Sequence, residues 1–108
     1  MSRVFDELYG IVLERKANPS EGSYTCYLFE QGLDKILKKC GEETSEVMIA
    51  AKNGSKDELT AEIGDLIYHL FVLMAEAEIP LEALYILLEE RRKKIGNLKP
   101  KKESVKES

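Results

Sequence analysis

The sequence predicts an all-α protein, a four-to-five-helix bundle that is completed by dimerisation. The chain has 108 residues, of which 44% are hydrophobic, and this size suits one small domain. Apolar residues recur at the spacing of one helix face in several segments, and no segment keeps the alternation of a half-buried strand. Residues 66–75 and 83–88 are apolar around most of the helix, which a lone small bundle cannot easily cover. We therefore expect a homodimer, with higher assembly left open.

The first helix is expected over residues 3–16. Its apolar stripe consists, at helical spacing, of Val4, Leu8, Ile11, Val12 and Arg15. Asn18-Pro19 ends this helix, because the residue before a proline is disfavoured in the helical conformation. Residues 19–23 then form a loop that contains proline, serine and glycine, and the structure of residues 24–30 is left open.

Two long helices follow and form a hairpin. Their apolar stripes occupy residues 33–51 and residues 59–77. The intervening Asn-Gly-Ser of residues 53–55 offers a glycine or an asparagine suited to a left-handed helix end, and Ser55 or Asp57 is suited to begin the next helix. So short a connection makes the two helices antiparallel. A last helix is expected with Pro80 in its first turn and its end near Ile95.

The charge pattern and the length of the longest apolar run exclude several classes of protein. Residues 1–97 are expected to form the domain, and residues 98–108 a polar, disordered tail. The net charge is −4 and no basic face is evident, so nucleic-acid binding is not expected. The longest mostly apolar run, residues 66–77, is too short to span a bilayer. Cys26 and Cys40 lack zinc-site spacing, and we interpret them as reduced thiols of a cytoplasmic protein.

Two pairs of acids lie beside the apolar stripes of the hairpin helices. The pairs are Glu43 with Glu46, and Glu62 with Asp65. At about 100° of rotation per residue, both pairs flank their stripes on the same side. Antiparallel helices that pack through their stripes bring like flanks together, so the two pairs converge. Residues equidistant from the turn of a hairpin are level with each other. Glu43 is level with Asp65, and Glu46 with Glu62, because Gly54 lies midway between the members of each pair.

Four carboxylates in one patch form a ligand cage for a hard cation. Without a counter-ion, neighbouring carboxylates repel each other by about 1 kcal/mol per pair in water, and by more near a low-dielectric core. Oxygen ligands suit Mg²⁺, with Mn²⁺ as a substitute, and Mg²⁺ usually takes further ligands from water and substrate phosphates. The sequence therefore predicts a magnesium site that acts on a nucleotide or a polyphosphate.

Three neighbouring side chains have competing interpretations. Lys39 lies one turn before Glu43, where it could bind a phosphate or form an i, i+4 ion pair. Glu42 lies opposite the core, which favours a solvated acid over a metal ligand. His69 follows Asp65 by one turn, where it could form a hydrogen bond with a metal ligand. A buried histidine whose ring nitrogens are satisfied within the protein is the favoured interpretation. The Glu-x-x-His motif of di-iron proteins is not found around His69.

The acidic motifs resemble those of the MazG-like superfamily of all-α nucleotide pyrophosphohydrolases. Residues 41–46 read GEETSE and residues 62–65 read EIGD, similar to the superfamily's Glu-Glu-x-x-Glu and Glu-x-x-Asp pattern. The match is closest to the phosphoribosyl-ATP pyrophosphatase family of histidine biosynthesis, through residues 23–25, 34–43, 50–54 and 65–70. Gly64 departs from the alanine usual there, which weakens the helix by about 1 kcal/mol but removes no ligand.

The resemblance implies hydrolysis of phosphoribosyl-ATP to phosphoribosyl-AMP and pyrophosphate, with Mg²⁺ held by the four acids. Water would attack the α phosphorus, and Glu46 or Glu42 would accept its proton, a choice that the sequence leaves open. Lys35 and Lys39 become candidate phosphate contacts. The candidate substrate-specific loop consists of Ser23, Tyr24 and Thr25.

Two alternatives to this function remain at this point. The same metal site would serve a house-cleaning pyrophosphohydrolase that acts on ordinary or damaged nucleoside triphosphates. A protein of a different class, a non-catalytic helical dimer, would use the same acids only for solubility.

Overall fold

The computed structural model describes residues 2–96, and five helices account for most of them. The helices are α1 (Ser2–Ala17), α2 (Tyr24–Gln31), α3 (Leu33–Asn53), α4 (Lys56–Glu76) and α5 (Leu81–Gly96). No strand occurs within residues 2–96, so the predicted all-α class is confirmed. The predicted polar tail, residues 98–108, lies outside the described residues.

The hairpin of α3 and α4 is built as its sequence predicts. Gly54 ends α3 in the left-handed conformation, with φ at 79°, and its N–H bonds to the carbonyl of Ala51 at 3.2 Å. Ser55 then begins α4, because its hydroxyl accepts a hydrogen bond from the backbone N–H of Glu58 at 3.2 Å. Two residues therefore separate the helices, and α3 and α4 pack against each other more extensively than any other pair.

The segment that the sequence left open is a short helix, α2. The hydroxyl of Ser23 begins it by accepting a hydrogen bond from the N–H of Cys26 at 3.1 Å. A single residue, Gly32, both ends α2 and precedes α3, with φ at 93° and ψ at −174°. Side chains other than glycine are strongly disfavoured at such angles. Leu28, which is fully buried, anchors α2 in the core.

The core gathers side chains from all five helices. Its buried members are Tyr9, Val12, Leu28, Ile36, Cys40, Phe71, Val72, Ala75 and Leu81. Phe71 of α4 contacts the rings of Phe5 and Tyr9 of α1 edge to face, with centroids 5.4 and 5.5 Å away. Edge-to-face rings at this distance attract each other beyond their burial.

The buried faces of α1 and α4 differ from those expected. On α1, Tyr9 is buried while Val4 and Ile11 of the predicted stripe are 64% and 52% exposed. On α4, Phe71, Val72 and Ala75 are buried, although none belongs to the predicted stripe. The expected faces were therefore wrong in part, although Val12 of α1 is buried and Ile67 of α4 packs against the core as predicted. Helix α4 is apolar around most of its circumference here, so periodicity does not identify the side against which α1 packs.

Helix α5 contributes less to the core than the other long helices. Leu81 at its start is buried, and Leu84 and Tyr85 pack against the core from the next turn. Pro80, expected in the first turn, directly precedes the helix and accepts a hydrogen bond from the N–H of Ala83 at 3.0 Å. The following apolar side chains, Ile86, Leu87 and Leu88, are 61%, 44% and 51% exposed. In the described part of the chain, no helix combines the length and the apolar character needed to cross a membrane.

Candidate metal and substrate site

Three carboxylates converge across the α3–α4 hairpin. Oxygen atoms of Glu43, Glu62 and Asp65 all lie within 4.8 Å of one another. Glu43 and Glu62 are half-buried and Asp65 is exposed, so the cluster opens to solvent on one side. In octahedral Mg²⁺ coordination, ligand oxygens are about 3 Å apart when adjacent and about 4.2 Å apart when opposite. A small closure of three flexible side chains would reach those distances, and the all-oxygen donor set fits such an ion.

The fourth predicted acid, Glu46, stands beside this group rather than within it. Glu46 is exposed on α3, one turn nearer the connection than Glu43. Its charge is nevertheless felt at Glu62, whose pKa is raised first by burial and then by the charges of the other three acids. The predicted convergence of four acids therefore holds for three of them, whose oxygens lie within 4.8 Å of one another, and Glu46 is not part of this group.

Lys39 is the cation beside the carboxylate cluster. Its ammonium lies 3.1 Å from a carboxylate oxygen of Glu42 and 3.9 Å from one of Glu43. The hydrogen bond from Lys39 lowers the pKa of Glu42, and Glu42 in turn raises the pKa of Lys39. Lys39 thus makes the predicted ion pair, while its position next to Glu43 also places a positive charge at the edge of the cluster.

The start of α2 lies against α4 next to the same cluster. The Tyr24 hydroxyl is 3.0 Å from Nε2 of His69, and the Thr25 hydroxyl bonds to the Tyr68 hydroxyl. The pKa of Tyr24 is raised, chiefly by burial, and it also responds to the charges of Lys39 and Glu43. Thr25 therefore already has a hydrogen-bond partner within the protein, as Ser23 has in the N–H of Cys26. Tyr24, whose side chain is 45% exposed, faces both the cluster and solvent.

His69 is a buried histidine with both ring nitrogens engaged. It is 5% exposed, and its Nδ1 lies 2.8 Å from the backbone carbonyl of Asp65. The favoured interpretation of a satisfied buried histidine is thus confirmed, and the hydrogen bond goes to the backbone of Asp65 rather than to its carboxylate. The partnership of His69 with Tyr24 was not anticipated, because nothing in the spacing of α4 indicates that α2 packs there.

Lys35 lies one turn before Lys39 on α3. Its ammonium stands 5.7 Å from the centre of the Tyr27 ring, and that ring is stacked on Tyr24 at 6.1 Å. A cleft of about 430 Å³ is lined by residues 20–24, Cys26, Tyr27 and Glu30. The loop before α2 forms part of this cleft, but Glu43, Glu62 and Asp65 do not line it.

Comparison with known proteins now identifies the class and the family. Carboxylates that converge across two antiparallel helices of an all-α fold agree with the all-α pyrophosphohydrolases that the acidic motifs resemble. The family model described as "Phosphoribosyl-ATP pyrophosphohydrolase" matches residues 5–92, which include all four acids. The chain therefore belongs to the phosphoribosyl-ATP pyrophosphohydrolase family, as its motifs indicated.

Curated relatives agree with this assignment over nearly the whole chain. The chain is 57% identical over 102 residues to a protein of Clostridium novyi named "Phosphoribosyl-ATP pyrophosphatase", covering 94% of this chain and 93% of the relative. A protein of the same name from Listeria monocytogenes is 54% identical over 100 residues, covering 93% and 96%. The chain also matches 44% of a Caldanaerobacter subterraneus protein named "Histidine biosynthesis bifunctional protein HisIE", at 58% identity over 91 residues and 84% of this chain.

Proposed function

We infer that this protein hydrolyses phosphoribosyl-ATP to phosphoribosyl-AMP and pyrophosphate, as a step of histidine biosynthesis. The names of the relatives support this reaction, and the family match covers most of the chain. The observation that carries the inference is the convergence of Glu43, Glu62 and Asp65 within that matched region. A triphosphate hydrolase needs a cation at such a place, because its substrate brings several negative charges.

We propose that Glu43, Glu62 and Asp65 hold Mg²⁺, with Glu46 as the fourth ligand. When bound, the cation would neutralise charge on the substrate phosphates and on the leaving pyrophosphate. The raised pKa of Glu62, caused first by burial and then by repulsion from the neighbouring acids, supports the assignment, because a bound cation would relieve that repulsion. Mn²⁺ has the same preference for oxygen ligands and would substitute.

Glu46 and Glu42 are the candidates for accepting the proton of the attacking water. The hydrogen bond from Lys39 lowers the pKa of Glu42, which makes Glu42 a poorer base than an ordinary glutamate. Glu46 is exposed beside Glu62 and is not in an ion pair among the described residues. We therefore favour Glu46, acting through a carboxylate oxygen that is not bound to the metal. The attack would break the bond between the α phosphorus and the bridging oxygen, and pyrophosphate would leave with that oxygen.

Substrate contacts are proposed on both sides of the cluster. Lys39, at the edge of the cluster, is placed to contact a phosphate, and Lys35 would extend the positive charge by one turn along α3. The loop and first turn of α2, with Ser23, Tyr24 and Thr25, would face the ribosyl part of the substrate. Tyr24 is the best placed of these three, because it borders the cluster and is half-exposed.

We also propose that the protein is a homodimer. The apolar side chains of α5 and several of the α3–α4 hairpin remain exposed in the single chain, including Leu37, Met48, Ile63 and Leu70. Exposed apolar surface of this extent is typical of a face that a partner covers. A second copy is the simplest partner for a chain of this length.

The activity is tested by measuring pyrophosphate release from phosphoribosyl-ATP with Mg²⁺, against a panel of nucleoside triphosphates. We expect phosphoribosyl-ATP to be preferred, and Asp65→Ala to lower turnover by at least about a hundredfold, since loss of a metal ligand removes several kcal/mol of stabilisation. Glu7→Ala is the control, because Glu7 is an exposed acid of α1 that pairs with Arg3 on the surface. Circular dichroism should show unchanged helical content in both variants.

Three outcomes would contradict parts of this proposal. A preference for dCTP or dUTP would favour the house-cleaning activity. Wild-type turnover by Asp65→Ala would contradict the metal cage. Absence of Mg²⁺ or Mn²⁺ binding in calorimetric titration, with and without a nucleotide analogue, would favour the non-catalytic dimer.

A further inference from the structure

A chain of hydrogen bonds connects the start of α2 to the turn of α4 that carries Asp65. The Tyr24 hydroxyl contacts Nε2 of His69 at 3.0 Å, and Nδ1 of the same ring contacts the carbonyl oxygen of Asp65 at 2.8 Å. A second bond, between the hydroxyls of Thr25 and Tyr68, joins the same two helices one residue further along. Two adjacent residues of α2 are thus fastened to two adjacent residues of α4.

The direction of the hydrogen bonds follows from the groups involved. A backbone carbonyl only accepts, so Nδ1 of His69 carries the proton that is donated to Asp65. In a neutral ring, Nε2 then has a lone pair, and the Tyr24 hydroxyl donates its proton to it. The oxygen of Tyr24 keeps its own lone pairs for donors on the outer side, where Lys39 lies close enough for its charge to act on Tyr24.

We propose that His69 is a positioning residue, which through its hydrogen bond with Tyr24 holds the start of α2 and its candidate substrate contacts at a set place beside the metal ligands. This inference rests on the proposed function, because it assigns a role within the proposed site. His69 would not touch the substrate. It would act through Tyr24, whose ring leans edge to face on the imidazole with centroids 5.7 Å apart.

The polar nature of this contact argues for a role beyond stability. His69 is 5% exposed and lies next to Cys40, whose thiol approaches the His69 carbonyl at 3.5 Å. An apolar side chain would fill such a place without the need to satisfy two ring nitrogens. The imidazole instead fixes the direction in which the Tyr24 hydroxyl points, which a leucine or a valine would not do.

The test compares the Michaelis constants and turnover of four variants with those of the wild-type enzyme. Tyr24→Phe removes the hydroxyl and keeps the ring. His69→Asn keeps an N–H at the position of Nδ1, and therefore the bond to Asp65, but loses the partner of Tyr24. We expect each to raise KM for phosphoribosyl-ATP by about three- to tenfold, the value of one hydrogen bond. The turnover number and the half-saturating Mg²⁺ concentration should change less than twofold.

The double variant and a matched control separate positioning from general destabilisation. Because both single substitutions break the same bond, Tyr24→Phe combined with His69→Asn should raise KM no further than either alone. Tyr27→Phe removes a neighbouring hydroxyl on the same helix and should leave KM unchanged. A purely structural role would instead lower the amount of folded enzyme and the melting temperature, with KM as in the wild type.

Several results would overturn the inference. A wild-type KM for Tyr24→Phe would do so, as would effects that multiply in the double variant. If His69→Asn does not fold, Tyr24→Phe still decides, since it removes one atom from a half-exposed side chain. If the wild-type enzyme prefers another triphosphate, the proposed substrate is wrong, and the same KM comparison on the preferred triphosphate tests the positioning role separately.

Discussion

Two glycines of the α3–α4 hairpin allow one chemical change to be tested in opposite backbone settings. Gly54 has φ at 79°, and a Cβ added there would meet no atom within 4 Å, so only conformational strain opposes Gly54→Ala. A left-handed conformation costs a residue with a Cβ about 1–2 kcal/mol. Part of this is offset because alanine restricts the unfolded chain, which leaves a net loss of about 1 kcal/mol.

Gly64→Ala is the matched control inside α4. A Cβ at Gly64 also meets nothing within 4 Å, and the backbone there is helical. Alanine should therefore stabilise the protein by about 1 kcal/mol through its higher helix propensity. For a domain of this size, about 1 kcal/mol corresponds to about 4–8 °C in melting temperature. Gly54→Ala should thus melt lower than the wild type by that amount, and Gly64→Ala higher by the same amount.

Thermal unfolding followed by circular dichroism at one fixed protein concentration measures both shifts. A fixed concentration is needed because association makes the melting temperature depend on concentration. Equal shifts of the same sign in the two variants would refute the reasoning, since they would mean that the local backbone angles do not determine the effect. Pyrophosphate release should persist in both variants, because neither change removes a carboxylate of the cluster.

Two further predictions concern ionisable groups. Burial and neighbouring acids raise the pKa of Glu62, so its ionised form is disfavoured in the folded state, and the contribution of Glu62 to the stability of metal-free protein should fall as the pH rises above the usual pKa of a glutamate. Glu62→Gln should show a smaller loss in melting temperature over this range, and a loss equal to that of the wild type would contradict the clustering. Hydrogen bonds from Ser23 and Ser20 lower the pKa of the Cys26 thiol, whereas burial raises that of Cys40. Mass spectrometry after iodoacetamide treatment of native protein should find Cys26 alkylated first, and equal rates would refute this.

The hairpin and its acids were predictable because the signals involved are local. Gly54 and Ser55 specify how α3 ends and α4 begins, and helical rotation then places the acids without knowledge of the other helices. The free thiols of Cys26 and Cys40 also agree with the sequence analysis. The substrate was predicted from the family motifs, because helical periodicity carries no information about it.

The contacts between distant helices were not predictable in the same way. The buried face of α4 depends on where α1 packs, and a helix that is apolar on most sides does not indicate that choice. The short helix α2 was left open because eight residues show too few repeats of the helical period. For the same reason the bond between Tyr24 and His69, which are 45 residues apart, has no signal in a single sequence.

The symmetry of the hairpin about Gly54 makes chain length a constraint on this site. One residue inserted into α3 between Glu46 and Gly54 would rotate Glu43 and Glu46 by about 100° and shift them by about 1.5 Å along the helix axis relative to the acids of α4. Seven inserted residues would nearly restore the direction in which these side chains point. They would leave the acids of α3 and those of α4 about 10 Å apart along the helix axes. Only insertions of about seven residues into both helices keep both the direction and the height of the carboxylates matched. Lengthening of this fold is therefore tolerated in matched steps on the two arms of the hairpin, or outside it altogether.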